Sequence, residues 1–253
     1  MNDIKSVFDL LNRWAPFPKY QLERRADIFF AFYLPEIMKM EKFGETISHD
    51  DIIPEFPIKK DDSNLSNNVD YVVIGEKAIY FIELKTAMDS FDPADDYDNY
   101  LKKALSTMNF SVLLEEIAAI RNASNEKAKY DELIKHLCCI ERIKDKIEVR
   151  IKDKIEVKMD DKKPISIKCE SFDIPIKPVY ILPFIPGEKH YDRYKNKIDY
   201  LKNKIENDKC EIIAFEEIRT QLSNIKEQSD QVKRLSESLE IWLRIEDDKC
   251  SKK

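Results

Sequence analysis

Asp70 and the run Phe81-Ile82-Glu83-Leu84-Lys85-Thr86 hold the residue types that phosphodiester chemistry needs. In a strand, alternate side chains share a face, so Glu83 and Lys85 point one way and Leu84 points into the core. Asp70 begins the preceding apolar run. Pairing across the turn Gly75-Glu76-Lys77 brings it opposite about Ile82, at the sheet end that carries Glu83. Two carboxylates and an ammonium then converge at the rim of an apolar sheet. Hard carboxylate oxygens suit Mg²⁺, which takes one or two of them and keeps several waters. Such an ion lowers the pKa of bound water and neutralises a phosphate. A lysine beside it can orient the water or stabilise the charge gained in the transition state. The expectation is metal-dependent phosphodiester hydrolysis, with Mg²⁺ as cofactor and Mn²⁺ as a substitute.

The elements that must position these groups are legible in the residue pattern. Residues 3–14 have the spacing of a short amphipathic helix that Pro16 and Pro18 end, and a stronger helix is expected from about Lys19 to Met40. Glu23 falls near its first turn, at the edge of the apolar face. Ile52–Ile58 is expected as a strand at an edge or a bulge, because Pro54 and Pro57 interrupt it. Val69–Ile74 and Ala78–Leu84, rich in Val, Ile, Tyr and Phe, form a hairpin by length and turn chemistry. Asp92-Pro93 opens a helix whose stripe runs to about Asn122, and another helix spans Glu126–Cys139.

Residues 142–157 are an exact tandem repeat of Arg-Ile-Lys-Asp-Lys-Ile-Glu-Val. Its alternation predicts an inserted hairpin within about 140–170, turning at Lys152-Asp153-Lys154. Later come a proline-flanked buried strand near 177–185, a helix around Tyr191–Ile205, a strand at Cys210–Phe215 and a C-terminal helix over 217–246. The sum is an α/β architecture, a mixed sheet flanked by helices, read as one domain over residues 1–253.

Composition sets the outer limits. The chain is 36% charged with net charge −6, so nucleic acid would be gripped along one groove and not all round. Three glycines and no P-loop or GxGxxG pattern argue against nucleotide-driven or dehydrogenase chemistry. Five cysteines, two of them adjacent and none in a CxxC pair, fit neither a disulfide framework nor a zinc site. The acidic N-terminal residues Asp3 and Asp9 do not form a signal peptide, and no apolar run approaches a membrane span. A cytoplasmic protein that engages no membrane is expected.

An Asp, then Glu-Leu-Lys thirteen residues on at the end of an apolar strand, resembles the PD-(D/E)XK nuclease superfamily. The likeness covers roughly residues 19–122 plus the strand near 177–185. It implies the restriction-endonuclease-like α-β-β-β-α-β core. It also implies Asp70 and Glu83 as metal ligands, the Leu84 carbonyl as a further ligand, Lys85 as the catalytic lysine and Glu23 as the helix-borne acid. Glu36 and Glu55 compete with Glu23 for that role. Val69, not proline, precedes Asp70 here. By analogy the polymer is DNA rather than RNA, acted on in restriction, repair or defence, and a homodimer would suit double-strand cutting.

Other readings stay open at this stage. A nuclease-like fold can serve as a non-catalytic binding or scaffolding module, although the intact Asp70, Glu83 and Lys85 set speaks against it. Tyr97, Tyr100, Lys102 and Lys103 could lend polar groups to the site or form a solvated face. Lys189–Lys204 holds six basic and two acidic residues and could lie on phosphates, but its tyrosines fall on the apolar stripe.

Overall fold

The computed structural model describes residues 4–14, 22–60, 66–92, 94, 105, 109–151, 154–155, 163–172, 174–187, 189–204, 210–225 and 230–251. In chain order its elements are α1 (Ile4–Trp14), α2 (Glu23–Ile37), β1 (Ile52–Lys59), β2 (Ser66–Ile74) and β3 (Ile79–Leu84). There follow α3 (Phe110–Ala123), α4 (Lys127–Leu137), β4 (Ile147–Ile151), β5 (Lys154–Ile155), β6 (Ile165–Cys169) and β7 (Ile176–Leu182). The chain continues with α5 (Lys189–Lys204), β8 (Glu211–Ala214), α6 (Phe215–Ser223) and α7 (Asp230–Ser251).

The protein is α/β, with a five-stranded mixed sheet in the order β1-β2-β3-β7-β8 and a three-stranded sheet in the order β5-β4-β6. β1 and β2 are antiparallel, whereas β7 and β8 are parallel. Ile79 N–H donates to Pro175 O and Lys85 N–H to Ile181 O, both at 2.9 Å. The two bonds keep one offset of 96 residues, as parallel strands do, so β3 runs parallel to β7. Among the described residues no helix is long and apolar enough to cross a membrane.

The chain divides into two compact units, each assembled from separated segments. One comprises Met1–His49, Ile82–Ala94 and Pro178–Lys253; the other comprises Asp50–Phe81 and Asp95–Lys177. In the first, α2 buries Ala26, Phe30, Tyr33, Leu34 and Ile37. Phe30 packs on Phe215 and Trp242, and Phe8 on Phe29. Helices α1 and α7 are tied by polar bonds: Asn12 Nδ2 donates to Ser238 Oγ, and Trp242 Nε1 donates to Asn12 Oδ1. Buried indole N–H groups need such an acceptor.

The second unit is built around Phe56, Phe81, Phe110 and Phe172, whose ring centroids lie 5.5–6.3 Å apart in contacting pairs. Beneath α3, the Arg121 guanidinium grips Asp131 through two bonds, of 2.8 and 3.0 Å, and donates a third to Lys163 O at 2.7 Å. Every fork of this buried cation therefore has a fixed acceptor.

Several expectations need correction. The helix expected from Asp92 to Asn122 is not continuous. Asn109 stands in extended backbone and starts a new helix, accepting the Ser111 N–H at 3.0 Å. A short polar side chain that can satisfy a helix-start N–H overrides an apolar stripe. The Asp92 carboxylate accepts the Ala94 N–H at 3.2 Å, but most of the residues between lie outside those described.

The C-terminal helix expected over 217–246 is likewise two: α6 begins earlier, at Phe215, and ends at Ser223, and α7 starts at Asp230. The hairpin from the tandem repeat pairs Arg150 with Ile155 and Ile151 with Lys154. Its longer partner is a strand that the sequence reading passed over, β6, where buried Ile165 and Ile167 alternate with exposed Ser166 and Lys168.

β1 is the end strand of its sheet, as its prolines suggested. Positions 52 to 59 pair with 73 to 66 in unbroken register except at Glu55, whose φ is +51°. Pro54 and Pro57 are three apart, so in a regular strand their ring nitrogens would face opposite sides. Both cannot then sit on the side that needs no donor. The left-handed residue lies between them.

Candidate active site

β3 is apolar and buried along its whole length, and Glu83 is buried with it at 5% exposure. A carboxylate at that depth needs a partner. Lys85 supplies one: its Nζ lies 3.2 Å from Glu83 Oε2, the two side chains sharing a strand face as the alternation predicts. Lys85 is the first residue beyond the strand and its side chain is only 14% exposed. Its backbone N–H is fixed on β7 by the bond to Ile181 O. The peptide places the Leu84 carbonyl on the opposite side, directed away from β7, while the Leu84 side chain is buried at 1% exposure.

Glu23 comes to the same place from α2. Its carboxylate accepts the Thr86 N–H and feels the Lys85 charge. Burial nonetheless outweighs both and holds its pKa above the usual carboxylate value. Lys85 therefore stands in the field of two acids, Glu83 beside it and Glu23 from the helix. Thr86, which sequence reasoning passed over, acts through its backbone. Any residue type but proline could donate that bond, so the side chain carries no signal for it.

The competitors of Glu23 are placed elsewhere. Glu36 makes a surface pair with Lys39, and exposed Glu55 accepts from Asn68 Nδ2 at 3.2 Å in the other unit. Asp70 is half-buried in β2, also in the other unit, at the register position facing Glu55. The structure thus brings Glu23, Glu83 and Lys85 together within one unit and places Asp70 in the strand that precedes theirs.

The surroundings follow an α/β logic. β3, β7 and β8 run parallel, and Leu84, Leu182 and Ala214 end them on one edge. Open α/β sheets bind ligands outside the carboxyl ends of their strands. At that edge α6 starts directly from β8, with Glu217 accepting the Ala214 N–H at 2.7 Å and pairing with Lys42 at 2.7 Å. Lys197, on α5, donates to Phe91 O. Tyr97, Tyr100, Lys102 and Lys103 lie outside the described residues, as do the side chains of Tyr191 and Tyr194.

As a donor set for a cation, the unit offers two carboxylates, one of them buried, with an ammonium alongside. Among the described residues no three or more His, Cys, Asp or Glu side chains gather into a cage. Two carboxylates suit Mg²⁺, which retains most of its waters, better than Zn²⁺ or Ca²⁺, which take fuller protein shells. Cys169 and Cys210 are poor nucleophiles, since burial pushes their thiols up to about 12. Compared with protein-family models, curated proteins and solved structures, the chain matches none.

Proposed function

We propose that the chain is a metal-dependent nuclease of the PD-(D/E)XK kind that hydrolyses phosphodiester bonds of DNA. The observation that carries this reading is the Lys85 ammonium, held 3.2 Å from the buried Glu83 and within the field of Glu23, at the carboxyl edge of parallel strands. A strand that merely ended in polar residues would not bury its carboxylate against a lysine and bring a helix-borne acid to the same point.

Mg²⁺, or Mn²⁺ in its place, would supply a water of lowered pKa and neutralise the phosphate. Glu83 and Asp70 would hold it, with the Leu84 carbonyl as a further ligand. Asp70 enters on the sequence argument, as the carboxylate of the strand that feeds the hairpin. Lys85, held 3.2 Å from Glu83, would donate to a phosphate oxygen as negative charge builds there. Glu23, bound to the Thr86 N–H, fixes where β3 ends and therefore where Lys85 reaches. Its raised affinity for a proton also suits it to take one from the attacking water.

The test is cleavage of single- and double-stranded DNA and RNA by the purified wild type and Lys85→Ala, with Mg²⁺, Mn²⁺ or EDTA. Metal-dependent cutting of DNA that Lys85→Ala loses by about 10²–10³-fold is expected. A folded wild type that is inert on every polymer with either metal would overturn the reading in favour of a non-catalytic module.

A further inference from the structure

A nuclease of net charge −6 must concentrate its phosphate-holding cations at the site, because the rest of its surface repels the substrate. Most described arginine side chains are committed elsewhere. Arg121, Arg142, Arg150, Arg219, Arg234 and Arg244 each pair with a carboxylate. Arg24 is different. It is exposed, and among the described residues its guanidinium makes neither a hydrogen bond nor an ion pair. It is also the residue directly after Glu23, whose carboxylate is anchored on Thr86 beside Lys85, and it lies close enough for its charge to act on Glu23.

Resting on the nuclease reading, we infer that Arg24 is a substrate-binding residue that grips a backbone phosphate next to the one cleaved. Position and chemistry both favour it. One residue along a helix turns the side chain by about 100°, so Arg24 leaves the carboxylate side of α2 and projects to solvent. A planar guanidinium offers two parallel donors to a phosphate, which an ammonium cannot. An exposed, uncommitted fork beside an acidic metal-binding edge supplies attraction just where two carboxylates would otherwise repel the backbone. Arg13, on α1, is the internal control. It too is exposed and uncommitted among the described residues, but it lies on α1, in a different element from Glu23.

The experiment uses full-length Lys85→Ala protein with Mg²⁺, so that binding is read without cleavage. The probe is a fluorescein-labelled DNA duplex of mixed sequence, followed by anisotropy across a salt series. Adding Arg24→Gln should weaken binding uniformly across sequences. It should also flatten the dependence of log K on log salt by about 0.9, the signature of one lost phosphate contact. Arg24→Lys should restore the slope but not the full affinity, and Arg13→Gln should change neither. An Arg24→Gln variant with the parent's affinity and slope, in a protein whose wild type cleaves DNA, overturns the role of Arg24 and leaves the nuclease reading standing. A parent that binds no duplex, with a wild type that cleaves none, overturns both.

Discussion

Among the described residues each unit holds an ion pair drawn well out of solvent, Arg121–Asp131 in one and Lys85–Glu83 in the other, and the two are finished differently. Arg121–Asp131 is closed: the cation is fully buried, the carboxylate is 5% exposed, two bonds join them, and the third guanidinium nitrogen donates to the Lys163 carbonyl. Lys85–Glu83 is less enclosed: the pair meets at 3.2 Å, the lysine keeps 14% of its side chain exposed, and a second acid lies close by. A bidentate pair held at fixed angles serves the fold. An ammonium on a flexible stem at a strand end can turn its donors toward a new acceptor. The contrast separates a charge pair locked inside the fold from one set at a strand end.

The strongest way to break this contrast is to open the closed pair. Arg121→Met leaves Asp131 buried without its cation and should cost about 3–5 kcal/mol of stability, read as a fall in urea midpoint at unchanged slope. A loss below about 1 kcal/mol would show that Asp131 finds water as easily as Glu83 does. Next comes Lys85→Ala. Its activity should drop by about 10²–10³-fold, while stability falls by only about 1–2 kcal/mol because the strand end admits water. If stability collapsed instead, Lys85 would belong with Arg121.

The double variant Arg121→Met, Asp131→Leu sharpens the comparison. It should recover most of the single-variant loss, leaving about 1 kcal/mol for the unmet Lys163 carbonyl. The matching Lys85→Met, Glu83→Leu protein should be equally stable yet inert.

The smallest effect concerns Glu23. Its carboxyl is held above the ordinary value of 4.5 chiefly by burial. The folded protein therefore retains a proton that the unfolded chain has already lost. The stability tied to this group is complete below the unfolded value and is lost as pH rises through the folded one. In EDTA, Glu23→Gln should thus melt slightly above wild type at neutral pH and together with it near pH 4. A variant that melts lower at neutral pH would mean that the Lys85 attraction, and not burial, governs the group.

How much of this was legible in the residues depends on how local the signal is. The β2–β3 hairpin and β7 announced themselves because each is a run of β-branched and aromatic residues bounded by turn formers. The shared face of Glu83 and Lys85 follows from strand geometry alone. That Glu23, not Glu36 or Glu55, meets Lys85 was not legible, since it depends on how α2 packs over the end of β3. Asn109 was hidden in an apolar stripe that a helix period fits on either side. The tandem repeat shows the same limit within one octapeptide. Its first copy forms a turn, a 3₁₀ turn over Lys144–Lys146 and then β4, whereas the second copy begins inside β4 with Arg150 and Ile151. Identical residues take different backbones because β6 pairs with the end of the first copy, Ile147–Val149, and with the start of the second, Arg150 and Ile151.

The parallel pairing of β3 with β7, 96 residues apart, also bears on how the molecule is made. The β2–β3 hairpin can close within microseconds of leaving the ribosome, since its contacts are local. The Lys85 N–H, by contrast, has no acceptor on β7 until roughly a hundred more residues have been synthesised, and closing so long a loop is entropically slow. The nascent chain therefore carries Glu83 and Lys85 well before the strand that fixes them exists, and this sheet edge cannot mature until β7 has been made.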